Sequence, residues 1–174
     1  MRRPRASCVA LGLLLSGLIL TWPLPAPAQT GQQPATPSAP AGLAVSGRVE
    51  HPRALAQAEI EAMPPTTIEV TLKSEHGVQQ ASFTGTLLWG VIEAAQPIDE
   101  PGGRTHLQHT ILARGRDGYA VALAIGELDP QFEGKQVLIA YRQDGKPTQG
   151  LRLVVPGDAR AGRGVRDLVE LEVR

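Results

Sequence analysis

The chain has 174 residues, 17 Lys+Arg against 17 Asp+Glu, 3% aromatic residues and one cysteine. The even charge balance leaves no basic excess for nucleic acid or anionic lipid, and so few aromatics argue against a base-stacking platform. One thiol excludes an internal disulfide and a cysteine-rich metal site.

Residues 1–28 read as a secretory signal peptide. Arg2, Arg3 and Arg5 give a positive start, Val9 to Leu20 is an apolar run of twelve residues, and Ala26-Pro27-Ala28 is a small-residue cleavage site before Gln29. The apolar run is shorter than the ~20 residues a membrane span needs. Cys8 precedes that run, whereas a lipid-modified cysteine would follow it. Arg2-Arg3 hints at twin-arginine export, but Pro4-Arg5-Ala6 departs from that pattern and favours the ordinary secretory route. The expectation is a periplasmic or secreted protein of 146 residues without a stable membrane span. Loss of Arg2, Arg3 and Arg5 from the 17 basic residues leaves 14 against 17 acidic, a net charge of −3. Cys8 leaves with the same segment, so the mature chain has no thiol to act as nucleophile or metal ligand.

Residues 29–41 carry Pro34, Pro37 and Pro40 among small polar residues and read as a flexible, partly extended tether. A single domain then fills 42–174. Leu43 to Val49 is an expected strand and Ala54 to Met63 an expected helix stopped by Pro64-Pro65. Ile68, Val70 and Leu72 alternate with Glu69, Thr71 and Lys73, a strand with one buried face. Ser74 to Gln80 reads as a polar connection. Leu87, Leu88, Val91, Ile92 and Ala95 recur at helical spacing before Pro97.

The second half reads as strands. His106 to Ala113 and Tyr119 to Ala124 flank Asp117-Gly118, and Val137 to Tyr141 and Leu151 to Val155 flank Asp144-Gly145, both tight-turn pairs. Gly126 to Gly134 is an expected turn region. A last strand has Val169, Leu171 and Val173 alternating with Glu170 and Glu172. Helices early and hairpins late predict an α+β fold. The expected core is Ile68, Val70, Leu72, Leu87, Leu88, Val91, Ile92, Val121, Leu123, Leu138, Leu153, Val155, Leu171 and Val173.

His106 and His109 would share a helix face but point oppositely on a strand, and the expected strand argues against a shared metal site. No histidine spacing matches a zinc signature, and no nucleophile elbow, phosphate-binding Gly-Lys-Ser loop or dinucleotide fingerprint is present. Trp89, Tyr119 and Tyr141 read as core or core-edge residues.

Four stretches carry a resemblance. They are Val45-Ser46-Gly47-Arg48-Val49-Glu50-His51-Pro52; Phe83-Thr84-Gly85-Thr86-Leu87-Leu88-Trp89 leading into Val91-Ile92-Glu93-Ala94-Ala95; Asp117-Gly118-Tyr119 with Glu127-Leu128-Asp129-Pro130; and Leu151-Arg152-Leu153-Val154-Val155-Pro156-Gly157 followed by Arg163-Gly164-Val165-Arg166-Asp167-Leu168 and Leu171-Glu172-Val173. In this order they make the chain from about Leu43 to Val173 resemble the molybdopterin-binding oxidoreductase domain, the strand-rich sulfite-oxidase fold.

The resemblance implies a pterin cofactor whose molybdenum is held by a cysteine after the strand matching Ile68 to Leu72. Here that stretch is Lys73-Ser74-Glu75-His76-Gly77. Ser74 is the nearest small polar residue, and its hydroxyl is no substitute for a soft thiolate. Glu75 and His76 could bind metal or move protons, or simply be solvated. The family's basic loop, matched by Arg160, Arg163 and Arg166, helps hold the pterin and its phosphate, and arginine forks suit that task. Asp158 and Asp167 could instead pair those charges.

The cofactor-binding candidates are therefore Ser74, His76, Arg163 and Arg166, with no metal ligand assigned. Two functions follow. One is a non-catalytic binding module for a pterin-like or anionic ligand or a periplasmic protein partner, with no cofactor as the expected state. The other is a divergent periplasmic oxidoreductase holding molybdenum cofactor through the pterin sulfurs alone. A third, plainer reading is a structural partner in an envelope complex.

Overall fold

The computed structural model describes residues 42–74, 77–102 and 105–174, with Leu72, Lys73 and Ser74 described by backbone only. The expected signal peptide, its cleavage site and the whole Pro-rich stretch 29–41 lie outside the described residues, as do Glu75 and His76.

Among the described residues nine strands form two sheets. The first sheet has the order β2-β1-β9-β5-β6, with β1 Gly42–Gly47, β2 Arg53–Ala56, β5 Thr110–Gly115, β6 Ala120–Ala124 and β9 Leu168–Val173. Only the β1–β9 pair in this sheet is parallel, joining the two ends of the domain. The second sheet is antiparallel in the order β3-β4-β7-β8, with β3 Pro65–Ser74, β4 Gly77–Leu87, β7 Leu138–Gln143 and β8 Lys146–Val154. Helices are short: α1 Gln57–Glu61, α2 Leu88–Ala95 and α3 Ile125–Leu128. Strands dominate, so the mixed fold is a strand-rich one.

Alternation explains the layering. Leu43, Val45, Ile111, Ala113, Leu171 and Val173 form the inner face of the first sheet. They share one core with Ile139, Leu151 and Leu153 of the second sheet and with Leu88, Val91 and Ile92 of α2. The opposite face of the second sheet carries a smaller cluster of Ile68, Val70, Ala81, Phe83, Leu138, Ala140 and Val154. Of the expected core, eleven residues are buried, Leu87 and Val121 are partly buried, and the Leu72 side chain lies outside the described residues.

Several expectations change. Ala54 and Leu55 belong to β2, because Leu55 pairs with Leu43 and is buried in the core, so the helix is one turn and a half instead of ten residues. Ser74 to Gln80 is not a loose connection: β4 starts at Gly77 and pairs directly back, with Ser74 opposite Gly77. Asp144 and Gly145 have φ of 50° and 74°, the two positive values a type I′ turn requires, so that hairpin forms as expected. The turn region opens with helix α3 in place of plain loop.

The pair His106 and His109 also differs. Residues His106–Gln108 make a 3₁₀ turn, not a strand, and the two imidazole rings meet edge to face at 6.4 Å. Each ring holds its own carboxylate. His106 Nε2 lies 2.8 Å from Asp129 Oδ2, and the buried His109 places Nε2 2.9 Å from Asp99 Oδ1. Among the described residues no group of three His, Cys, Asp or Glu side chains is placed to hold a metal ion. Trp89 and Tyr141 pack on or in the main core, but Tyr119 is 48% exposed, so its core assignment is corrected. Among the described residues no helix is long and apolar enough to cross a membrane.

Candidate functional site

The candidate residues come from two places, the β3–β4 hairpin and the segment after β8. β4 pairs with β7 only as far as Phe83–Gln143, after which Ser82 and Asp144 close the edge with two hydrogen bonds. Beyond Ser82 the β3–β4 hairpin runs on to Gly77 without β7 beside it. Five residues at ~3.4 Å each carry its tip ~17 Å further. Ser74 sits at this tip by backbone register. In the segment after β8, Gly157, Asp158 and Ala159 line a depression with Glu69, Val70 and Thr71, the middle of β3.

Arg163 is not available to a ligand in this arrangement. Its Nε and Nη2 donate to Asp158 at 2.8 and 2.6 Å, and its Nη1 donates to Glu127 at 2.8 Å. Lys135 joins from the other side, 3.3 Å from Glu127 and 3.0 Å from Glu133. The hydrogen bond from Arg163 is the main force holding the Asp158 carboxyl below its ordinary range. Burial pushes Glu127 upward, but Arg163 and then Lys135 outweigh it and leave it lowered as well. The two carboxylates in turn raise Arg163. The loop arginine is thus a clamp that ties the segment after β8 to α3.

This clamp gives a pH dependence with a definite sign. Both carboxyls are depressed on folding, so their contribution to stability is present above their ordinary values of 3.8 and 4.5 and is lost as pH falls below them. We expect Arg163→Gln to lower the thermal midpoint at neutral pH and the gap from the wild type to shrink as the pH falls through that range. Melting curves across an acid pH series check this.

Arg166 stands elsewhere. With Arg152, Gln143, Pro147, Thr148, Gln149 and Asp167 it lines an open cleft of about 500 Å³ on the outer side of the β7–β8 hairpin. Arg152 comes from the apolar run of β8. Alternation turns Leu151 and Leu153 into the main core and Arg152 to the other face, where its guanidinium lies 5.2 Å over the Phe83 ring and donates to Gln143 Oε1 at 3.1 Å. Asp167 is drawn aside, its Oδ2 accepting from Arg116 Nε at 2.8 Å. Among the described residues neither Arg152 nor Arg166 has an ion-pair partner. Burial, and secondly the positive field of Arg166, make the protonated Arg152 harder to keep. Two cations that repel across a cleft favour an anion between them.

Of the two loop arginines named from the sequence, Arg166 lines this cleft beside Arg152, whereas Arg163 is engaged by Asp158 and Glu127. An arginine inside an otherwise apolar strand was the available signal. Arg160 is exposed. The side chains of Ser74 and His76 are outside the described residues.

Residues 32–174 match the family described as the oxidoreductase molybdopterin binding domain. The chain belongs to that family. Among solved structures it is similar to the sulfane dehydrogenase SoxCD from Paracoccus pantotrophus, with a TM-score of 0.62 and 17% identity, covering 75% of this chain and 37% of that one. At that identity the likeness is one of fold, and this chain spans well under half of its neighbour's length. No curated protein matches the sequence. For a phosphorylated pterin the donor set fits at the anionic end, where Arg152 and Arg166 face an open cleft. At the metal end it does not fit the family pattern, since the sole cysteine, Cys8, precedes the matched residues 32–174 in sequence and the stretch Lys73-Ser74-Glu75-His76-Gly77 has none.

Proposed function

We propose that this member of the molybdopterin-binding oxidoreductase family is an exported, non-catalytic binding module that takes a phosphate-bearing, pterin-like anion between Arg152 and Arg166. The observation that carries this reading is a pair of arginines on one cleft without an ion-pair partner among the described residues, in a domain where the stretch resembling the family's metal-ligand segment, Lys73-Ser74-Glu75-His76-Gly77, has no cysteine. Arginine forks match phosphate oxygens in pairs, and half-burial of Arg152 strengthens such a contact relative to water. Calorimetric titration of a phosphate-bearing pterin into the purified protein tests it: saturable binding is expected, and no heat at any ratio would move the weight to a periplasmic protein partner.

A divergent molybdenum-dependent oxidoreductase is the second reading, favoured by the family match over residues 32–174. Export rests on the sequence of residues 1–28. Intact mass of protein recovered from the periplasm should correspond to a chain beginning at Gln29. A full-length mass, or a lipid adduct on Cys8, would contradict cleavage there.

A further inference from the structure

The free edge of the first sheet is unusual. Strand β6 ends the sheet, and among the described residues no strand lies beyond it. Its sequence is Ala120-Val121-Ala122-Leu123-Ala124, without charge, proline or glycine. Its pairing with β5 runs without a bulge. Exposed edges are normally blunted by lysine, proline or a bulge, because their unpaired N–H and C=O groups template another strand. The opposite edge, β2, begins with Arg53, and the outer strand of the second sheet, β3, carries Pro65, Glu69 and Lys73.

The hydrogen-bond phase of β6 is fixed by its neighbours. Ile125 N–H donates to His109 O, and Gly115 N–H donates to Tyr119 O. Alternation then directs the odd residues Val121 and Leu123 to β5 and turns the backbone groups of Ala120 and Ala122 outward. The side chains alternate too, with Leu123 buried and Ala122 exposed.

This strand is close to a palindrome about Ala122. Set against itself in antiparallel fashion, Ala122 meets the Ala122 of a second copy, Ala120 meets Ala124, and Val121 meets Leu123. Only methyl groups meet on the exposed face, so nothing there hinders approach. The ends also suit a two-fold. Five large apolar residues are exposed among the described residues, and three of them flank β6. Tyr119 precedes the strand. Phe132 and Leu107 lie past its other end, where a Cβ built on Gly126 would stand 3.1 Å from Leu107 Cδ2. Antiparallel pairing brings Tyr119 of one copy to the Ile125–Gly126 end of the other, beside Leu107 and Phe132.

We propose that β6 is a self-association edge: two copies of this chain join their first sheets through antiparallel β6 strands centred on Ala122. A symmetric contact of this kind needs the same patch on both partners, which the palindrome supplies. The arginine cleft lies on the second sheet and takes no part, so the dimer stands or falls apart from ligand binding.

Sedimentation equilibrium of the purified chain, with two variants, tests this. The wild type should sediment at twice the chain mass. Ala122→Lys sets two like charges opposite each other at the axis, and Ala122→Pro removes the outward N–H; each should halve the mass. Circular dichroism and melting of the lysine variant, whose backbone donor is intact, show that the fold survives. A wild type that stays monomeric up to its solubility limit overturns the proposal, and so does a dimer that persists unchanged in a folded Ala122→Lys variant.

Discussion

Replacing Arg152 and Arg166 together by glutamine should weaken binding of a phosphate-bearing pterin by at least tenfold. Each arginine offers a charge-assisted contact worth roughly 1.5–3 kcal/mol where fully formed. The loss should be steeper at low salt, since Arg166 is exposed and its attraction is screened as ions are added. Arg163→Gln is the informative control. Its donors are already spent on Asp158 and Glu127, so this change should alter stability and leave affinity near the wild-type value. Arg152 also covers the Phe83 ring, and the double variant should be compared at a temperature where both proteins remain folded. Equal affinity of wild type and double variant, measured by calorimetry, would reduce both arginines to solvated surface.

A large single-residue loss of stability should come from Gly47→Ala. Gly47 ends β1 with φ of 93°, in the region that L side chains rarely adopt, at a cost of roughly 1–2 kcal/mol. A Cβ there would also stand 2.1 Å from Val173 O and 2.9 Å from Val173 N. Both contacts are backbone, in the one parallel pair that joins the start of the domain to its end. Relief requires opening that pairing, including the 2.7 Å bond from Arg48 N–H to Val173 O. We expect a total loss of about 3 kcal/mol or more, beyond the usual range for a point change. Gly118→Ala separates the two causes. Gly118 has φ of 84° but open space around it, so it should show the backbone term alone. Urea melts of both variants decide this, and equal losses would show that the clash at Gly47 is relieved cheaply.

Much of the fold was legible because it follows short-range rules. Alternation in Ile68–Leu72 and Val169–Val173 marked two strands, helical spacing marked α2, and Asp144-Gly145 marked a turn that needs two positive φ values. What failed depended on distant partners. Ala54 and Leu55 look helical alone, yet β1 recruits them as a strand. Gln79 and Gln80 look like loop, yet β3 supplies the pairing that makes them strand. The surroundings of the loop arginines were not legible for the same reason. Arg163 and Arg166 are indistinguishable in sequence, being basic residues three apart in one loop. The positions of Asp158, five residues earlier, and of Glu127, 36 residues earlier in the chain, show that Arg163 is neutralised. Arg152 was hidden within an apolar strand whose period, read strictly, already placed it opposite the core.

The central claim is that this domain keeps the anion-binding half of its family's site without the thiolate that would hold the metal. The most direct measurement is elemental analysis of molybdenum in the mature protein, purified from a host that makes the cofactor and passed through gel filtration. The expected result is molybdenum far below one atom per chain, with no turnover of sulfite or sulfoxide. One tightly held molybdenum per chain would contradict the claim and establish the oxidoreductase reading in its place.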